Sequence, residues 1–324
     1  MVSFAGHTDI GRQRPLNEDS IYAQDSVFLV CDGMGGHKAG EVASKLAVEA
    51  IAGFLRRSAE DPEMTWPYGY NPGLPHDANR LTTAIKLANR VVYRKSVSEA
   101  DYTGMGTTVV AAMVAPGRPH MTYAHVGDSR IYRIQSGTML QLTRDDTWAN
   151  LQLAQADDDG DDDDDAIAPM RNVLTKALGA REEVDFSPSD LALADGDLIL
   201  LCSDGLSAMV RDDDIARLLG DSDLDPYQAA ETLVRAANAA GGEDNVTVVV
   251  FEVIEGTPRT TAPVTSEAGP EGGPTAGPDD VTSESALDGV QRHGAGKGSR
   301  WPALLLVLAI LAVAALAIWW TFLR

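Results

Sequence analysis

Apolar residues in the first 254 positions follow two periods. Short runs rich in Val, Ile, Leu, Tyr and Thr at 27–31, 108–114, 121–126, 131–134, 198–202 and 246–253 have the length and β-branched content of strands. Longer stretches at 39–57, 79–98, 212–219 and 226–240 carry helical spacing, and in the second Leu81, Ile85, Ala88, Val92 and Tyr93 line one face. Strands and helices come in groups rather than in strict alternation. That grouping predicts an α+β domain of antiparallel sheets layered with helices. No repeat at a solenoid period is present.

Beyond residue 254 the pattern changes twice. Residues 255–300 are rich in Gly, Pro, Ser, Thr and acidic side chains without aliphatic periodicity, which predicts a flexible linker. From Pro302 to Leu323 no charge appears and Thr321 is the only polar side chain. At 1.5 Å of rise per residue such a helix reaches about 33 Å, enough for a ~30 Å hydrocarbon core. Trp301, Trp319 and Trp320 stand at its ends, with Lys297 and Arg300 just upstream. We therefore expect a single-pass transmembrane helix over 301–323 and a cytoplasmic body over 1–254. The first fifteen residues include His7, Asp9, Arg12 and Arg14 and lack the apolar core of a secretory signal.

Composition narrows the function class. Net charge is -22, with 48 acidic against 26 basic side chains, which argues against a phosphate-backbone binder and hence against a nucleic-acid partner. Five basic and seven acidic residues follow Ile254, so about -20 resides in the body. Two cysteines, Cys31 and Cys202, each end an apolar run, as small buried hydrophobes do. The acidic run at 157–165 fails the EF-hand pattern, since Gly160 at loop position six would put Gln155 and Ala166 at the ligand positions one and twelve. It reads as a solvated insert. A sharper expectation is that it favours substrates with basic flanks.

The remaining carboxylates are placed, not scattered. Three strands each deliver an Asp into a Gly-containing turn: Asp32-Gly33, Gly127-Asp128 and Asp204-Gly205. A fourth, Asp244, immediately precedes the strand at 246–253. Antiparallel pairing puts the start of one strand beside the end of its neighbour, so all four can reach one edge. Asp-Gly is common turn chemistry, but it accounts poorly for the whole set. Converging carboxylates need a cation, and oxygen-only donors favour Mg²⁺ or Mn²⁺. Arg14, Glu18 and Asp19 precede the strand that carries Asp32, and a guanidinium beside such a cluster suits a phosphoryl group.

In order, the segments R-P-L-N-E-D (14–19), D-G-M-G-G-H (32–37), G-E-V-A-S (40–44), G-M-G-T-T (104–108), V-G-D-S-R (126–130), L-T-K-A-L-G (174–179), C-S-D-G-L (202–206) and E-D-N-V-T-V-V (243–249) resemble the bacterial metal-dependent serine/threonine protein phosphatases of the type 2C (PPM) family. The resemblance implies a four-layer α-β-β-α sandwich and a two-metal site at one end, holding Mn or Mg, with a third, more weakly held ion. By the same matching, Asp32 would bridge both metals, Gly33 would offer its carbonyl, and Asp204 and Asp244 would complete the set. Asp128 would hold the third ion with Asp204. Glu18 and Asp19 would act through water, with Asn245 and His37 close by, and Arg14 would bind phosphate. The implied reaction is hydrolysis of phosphoserine or phosphothreonine on proteins by direct attack of a dimetal-activated water, opposing a serine/threonine kinase.

Two positions depart from the family pattern. Met34 stands where some relatives carry a histidine proposed as general acid; His37 is open between that role and a structural one. Asp146 stands where relatives usually have His. The main rival is a catalytically silent phosphoprotein-binding module on the same fold, and a second is a metallohydrolase of small phosphate esters.

Overall fold

The computed structural model describes residues 2–36, 39–61, 63–115, 117, 119–135, 137–155, 173–220, 224–254 and 265–267. The expected transmembrane helix at 301–323, the acidic run at 157–165 and His37 lie outside these residues. Among the described residues no helix is long and apolar enough to cross a membrane.

The described residues form twelve strands: β1 (Val2–Asp9), β2 (Asp19–Gln24), β3 (Val27–Met34), β4 (Gly106–Thr107), β5 (Val109–Val114), β6 (His120–Val126), β7 (Arg130–Gln135), β8 (Thr138–Gln141), β9 (Ser189–Ala192), β10 (Leu198–Cys202), β11 (Val246–Val253) and β12 (Thr265–Glu267). One sheet runs β12-β1-β11-β10-β7-β8 and the other β2-β3-β5-β6-β9, with β4 paired to β3. Every pairing is antiparallel except β1 with β12, which is parallel. Thr265–Glu267, inside the stretch expected to be linker, thus adds a strand beside His7–Asp9. The helices are α1 (Ala39–Glu60), α2 (His76–Ser98), α3 (Trp148–Gln155), α4 (Asp204–Ser207), α5 (Asp212–Gly220) and α6 (Pro226–Ala240).

Strand alternation explains the layering. In β3, Val27, Leu29 and Cys31 join a core with α1 and α2, whereas Phe28 and Val30 face the other sheet. In β10 and β11, Leu200, Cys202, Val246, Val248 and Val250 pack with α5 and α6, while Ile199, Leu201, Val249 and Phe251 turn inward. Phe28 stacks on Phe251 at 4.3 Å across the two sheets. Helices therefore cover both outer faces of a two-sheet sandwich. Strands buried on both faces read as continuous apolar runs, and each fully buried Val, Leu or Phe stabilises by about 1.5–3 kcal/mol. That is why 198–202 and 246–253 were legible to the residue.

Candidate functional site

Strand register gathers the carboxylates. Asp19 opens β2 directly opposite Asp32 near the end of β3. Cys202 at the end of β10 pairs with Val248, so Asp204 just beyond it meets Asp244 and Asn245 at the start of β11. Gly127-Asp128 turns the chain from β6 into β7, which pairs with β10. Asp19, Asp32, Asp204 and Asp244 consequently fall within electrostatic range of one another, and Asp128 within range of Asp204.

The glycines let the backbones close in. A Cβ on Gly33 would stand 2.1 Å from Gly40 O and 2.5 Å from Glu18 O, and one on Gly205 would stand 2.0 Å from Asn245 O. Any side chain at either position would push the loops apart.

Polar side chains then fix the loops. Asn245 accepts from Glu18 N–H at 2.8 Å through Oδ1 and donates through Nδ2 to Ile10 O and Leu16 O, each at 2.9 Å. It staples the loop bearing Arg14 and Glu18 to β11. Ser44 donates to Glu18 O at 2.6 Å. Ser203 donates to Asp19 Oδ2 at 2.9 Å and accepts from Thr247 N–H at 3.0 Å. Thr108 N–H and the Thr107 hydroxyl both donate to Asp32 O, each at 2.8 Å. Sequence reading placed Asn245 without a task and missed Ser44, Ser203 and Thr107. Ser44 lies inside α1 and Thr107 in β4, so neither neighbours an Asp-bearing turn in the sequence, and Ser203, just before Asp204, reads there only as a turn residue.

The electrostatics are those of crowded acids. Burial, then the neighbouring Asp204 and Asp244, pushes Asp19 up to about 7. Asp128 also rises to about 7, through burial and Asp204. Burial and the surrounding carboxylates, Asp19, Asp204 and Asp244, lift Asp32 well above the usual range. Asp204 is raised as well, chiefly by burial, and so is Glu18, again chiefly by burial. Arg14 brings a counter-charge, its Nη2 2.6 Å from Asp244 Oδ2, and Arg130 acts on Asp128 and Asp204. Glu18 Oε1, Asp19 Oδ1 and Asp204 Oδ1 are buried without a hydrogen-bond partner.

Orphaned buried oxygens among mutually repelling carboxylates fit a hard divalent cation, which takes oxygen donors and cancels the charge. Among the described residues no three His, Cys, Asp or Glu side chains already stand close enough together to hold an ion. The acids instead face one another in pairs, Asp32 with Asp204, or face Arg14, as Asp244 does. Met34 lies toward Gly106 and Ala177; a Cβ on Gly106 would stand 3.6 Å from Met34 Cγ. Asp146 does not join the cluster but holds the turn before Asp128, with Gly127 N–H donating to its Oδ2 at 3.1 Å.

A family model described as protein phosphatase 2C matches residues 12–240. The serine/threonine protein phosphatase PstP of Mycobacterium tuberculosis is 35% identical over 270 residues, which cover 83% of this chain and 48% of that protein. The chain thus spans about half the length of that relative. The serine/threonine phosphatase stp of Listeria welshimeri is 35% identical over 256 residues, covering 76% of this chain and 93% of that protein. The crystal structure of the catalytic domain of PstP in complex with two manganese ions is similar with a TM-score of 0.63 and 34% identity, over 78% of this chain and 99% of that one.

Proposed function

Since the chain belongs to the protein phosphatase 2C family, we propose that it is a metal-dependent protein serine/threonine phosphatase acting on phosphoserine and phosphothreonine. The observation that carries this reading is the meeting of Asp19, Asp32, Asp204 and Asp244, with unpartnered buried oxygens, beside the guanidinium of Arg14.

Asp32, Asp204 and Asp244, with the carbonyl of Gly33, would hold two divalent ions, and Asp128 with Asp204 would hold a third more weakly. When bound, such ions lower the pKa of water and offset charge developing on phosphoryl oxygens. Arg14 turns its fork to the phosphoryl group and fixes it for in-line displacement. Glu18 and Asp19 orient water through the oxygens that lack partners, and Asn245 and Ser203 keep both acids in place. Met34 supplies no proton, so the leaving alkoxide takes one from another donor. An intact acid set favours turnover over a silent phosphoprotein-binding module.

Residues 1–254 are the catalytic domain, 255–300 the linker and 301–323 a membrane anchor, which places catalysis at the cytoplasmic surface against a serine/threonine kinase. The uncharged run from Pro302 to Leu323 with its flanking tryptophans supports the anchor. The test uses the full chain on a phosphothreonine peptide. Release of phosphate should require Mn²⁺ or Mg²⁺, stop with chelator, and be lost in Asp204→Asn. Turnover indifferent to chelator and to that substitution would overturn the assignment.

A further inference from the structure

Asp146 makes contacts in two directions. Its N–H donates to Gly127 O at 2.9 Å while Gly127 N–H donates to its Oδ2 at 3.1 Å, so one residue clamps the turn that carries Asp128. Its other oxygen, Oδ1, pairs with Lys176 Nζ at 2.8 Å. Its carbonyl accepts from Thr175 twice, from N–H at 2.8 Å and from Oγ1 at 2.9 Å.

The segment it grips continues to the opposite side of the metal site. Leu178 and Thr107 exchange N–H···O bonds of 2.8 and 3.0 Å. Thr107 lies opposite Gly33 and gives its hydroxyl to Asp32 O. Residues 174–178 therefore form a strap bonded at one end to the Asp128 turn and at the other to the strand of Asp32. Outward, the strap walls a cavity of about 450 Å³ with Trp148, Leu151, Val173 and Arg181.

The residue type matters here. A carboxylate accepts from the Gly127 N–H and from Lys176 at once, whereas a neutral imidazole has one acceptor and an imidazolium none. Lys176 is the matching cation, and the pair is only partly exposed, with side-chain exposures of 41% and 15% for Lys176 and Asp146.

We propose that Asp146 is a positioning residue for Asp128, loaded by Lys176 from the cavity wall, so that the strap couples that wall to cation affinity at Asp128. The proposal rests on the reading of Asp128 as a ligand of the weakest ion. Asp146 touches neither ion nor substrate. It acts by holding Gly127, and a residue that orients a ligand in this way changes metal affinity about 10–100-fold when removed.

The experiment measures Mn²⁺ binding to the full chain by the electron paramagnetic resonance of free Mn²⁺, in wild type, Asp128→Asn, Asp146→Asn, Lys176→Met and the Asp146→Asn/Lys176→Met double variant. Asp128→Asn should lose the weakest site. Asp146→Asn should weaken that site about tenfold, Lys176→Met about twofold to fivefold, and the double variant should match Asp146→Asn, all with the tighter sites unchanged. A role confined to packing would move the melting temperature and leave every Mn²⁺ affinity alone. Wild-type affinities in both single variants, with the weakest site gone in Asp128→Asn, would overturn the coupling and leave the metal reading standing. A wild-type chain that binds no Mn²⁺ would overturn both.

Discussion

Asp197, just before β10, is fully buried; its Oδ2 accepts from Ala194 N–H at 2.7 Å and faces Arg133 at 2.7 Å. Asp204, at the far end of the same strand, shares with Asp197 a buried Oδ1 that lacks a hydrogen-bond partner, but it sits against Asp32 and Asp244 where Asp197 sits against Arg133. One strand thus carries two acids with opposite provision. At one end the fold supplies the counter-charge; at the other it supplies more negative charge. A carboxylate answered by its own fold is part of the framework. One left unanswered, at a cost in stability, is a site for something the chain does not contain.

The contrast is breakable. The largest effect should come from Asp204→Asn, which lowers kcat on a phosphothreonine peptide by about 10³-fold or more, several kcal/mol of transition-state stabilisation. Asp197→Asn should do the reverse: it leaves Arg133 without its partner and lowers stability by about 3 kcal/mol in denaturant melts, while activity per folded molecule persists. Arg14→Ala should lower kcat/KM by about tenfold to a hundredfold, the worth of charge-assisted hydrogen bonds to phosphate. In chelator, Asp204→Asn should melt higher than wild type by about 1 kcal/mol, because it removes one charge from a repelling group. A lower melting point there would dissolve the distinction between the two ends. The smallest effect is at the thiols. Burial pushes Cys202 up to about 12 and Cys31 higher still, so neither should label with an alkylating reagent until the protein unfolds.

How far the sequence carried differs by residue. Strands buried on both faces announced themselves as aliphatic runs, and the Asp residues at their ends could be counted along one edge. β1 and β2 were not called, because Ser3, His7 and Thr8 are buried polar residues that break the run in β1, and β2 opens on Asp19. Helix α2 begins at His76, three residues before the expected start, following Pro75. The roles of Asn245, Ser203 and Asp146 were not legible, since each joins segments far apart in the chain: Asn245 reaches Ile10 across 235 residues, and Ser203 reaches Asp19 across 184. Spacing along the chain cannot display such a bond. Only the paired strands bring its ends together.

The Asn245 staple also sets an order of assembly. β1 lies against β11 from Val2↔Val253 to Asp9↔Val246, and the loop bearing Arg14 and Glu18 is held by the residue just ahead of that strand. During synthesis the first strand of the sheet must wait for the eleventh. Closing so long a loop comes late in folding, after local contacts have formed. A nascent chain halted before residue 245 would carry Arg14, Asp32, Asp128 and Asp204 but no staple to join their loops. The acidic end would be completed only after nearly the whole domain had left the ribosome, so an unfinished chain would carry the separate acids without the assembled site.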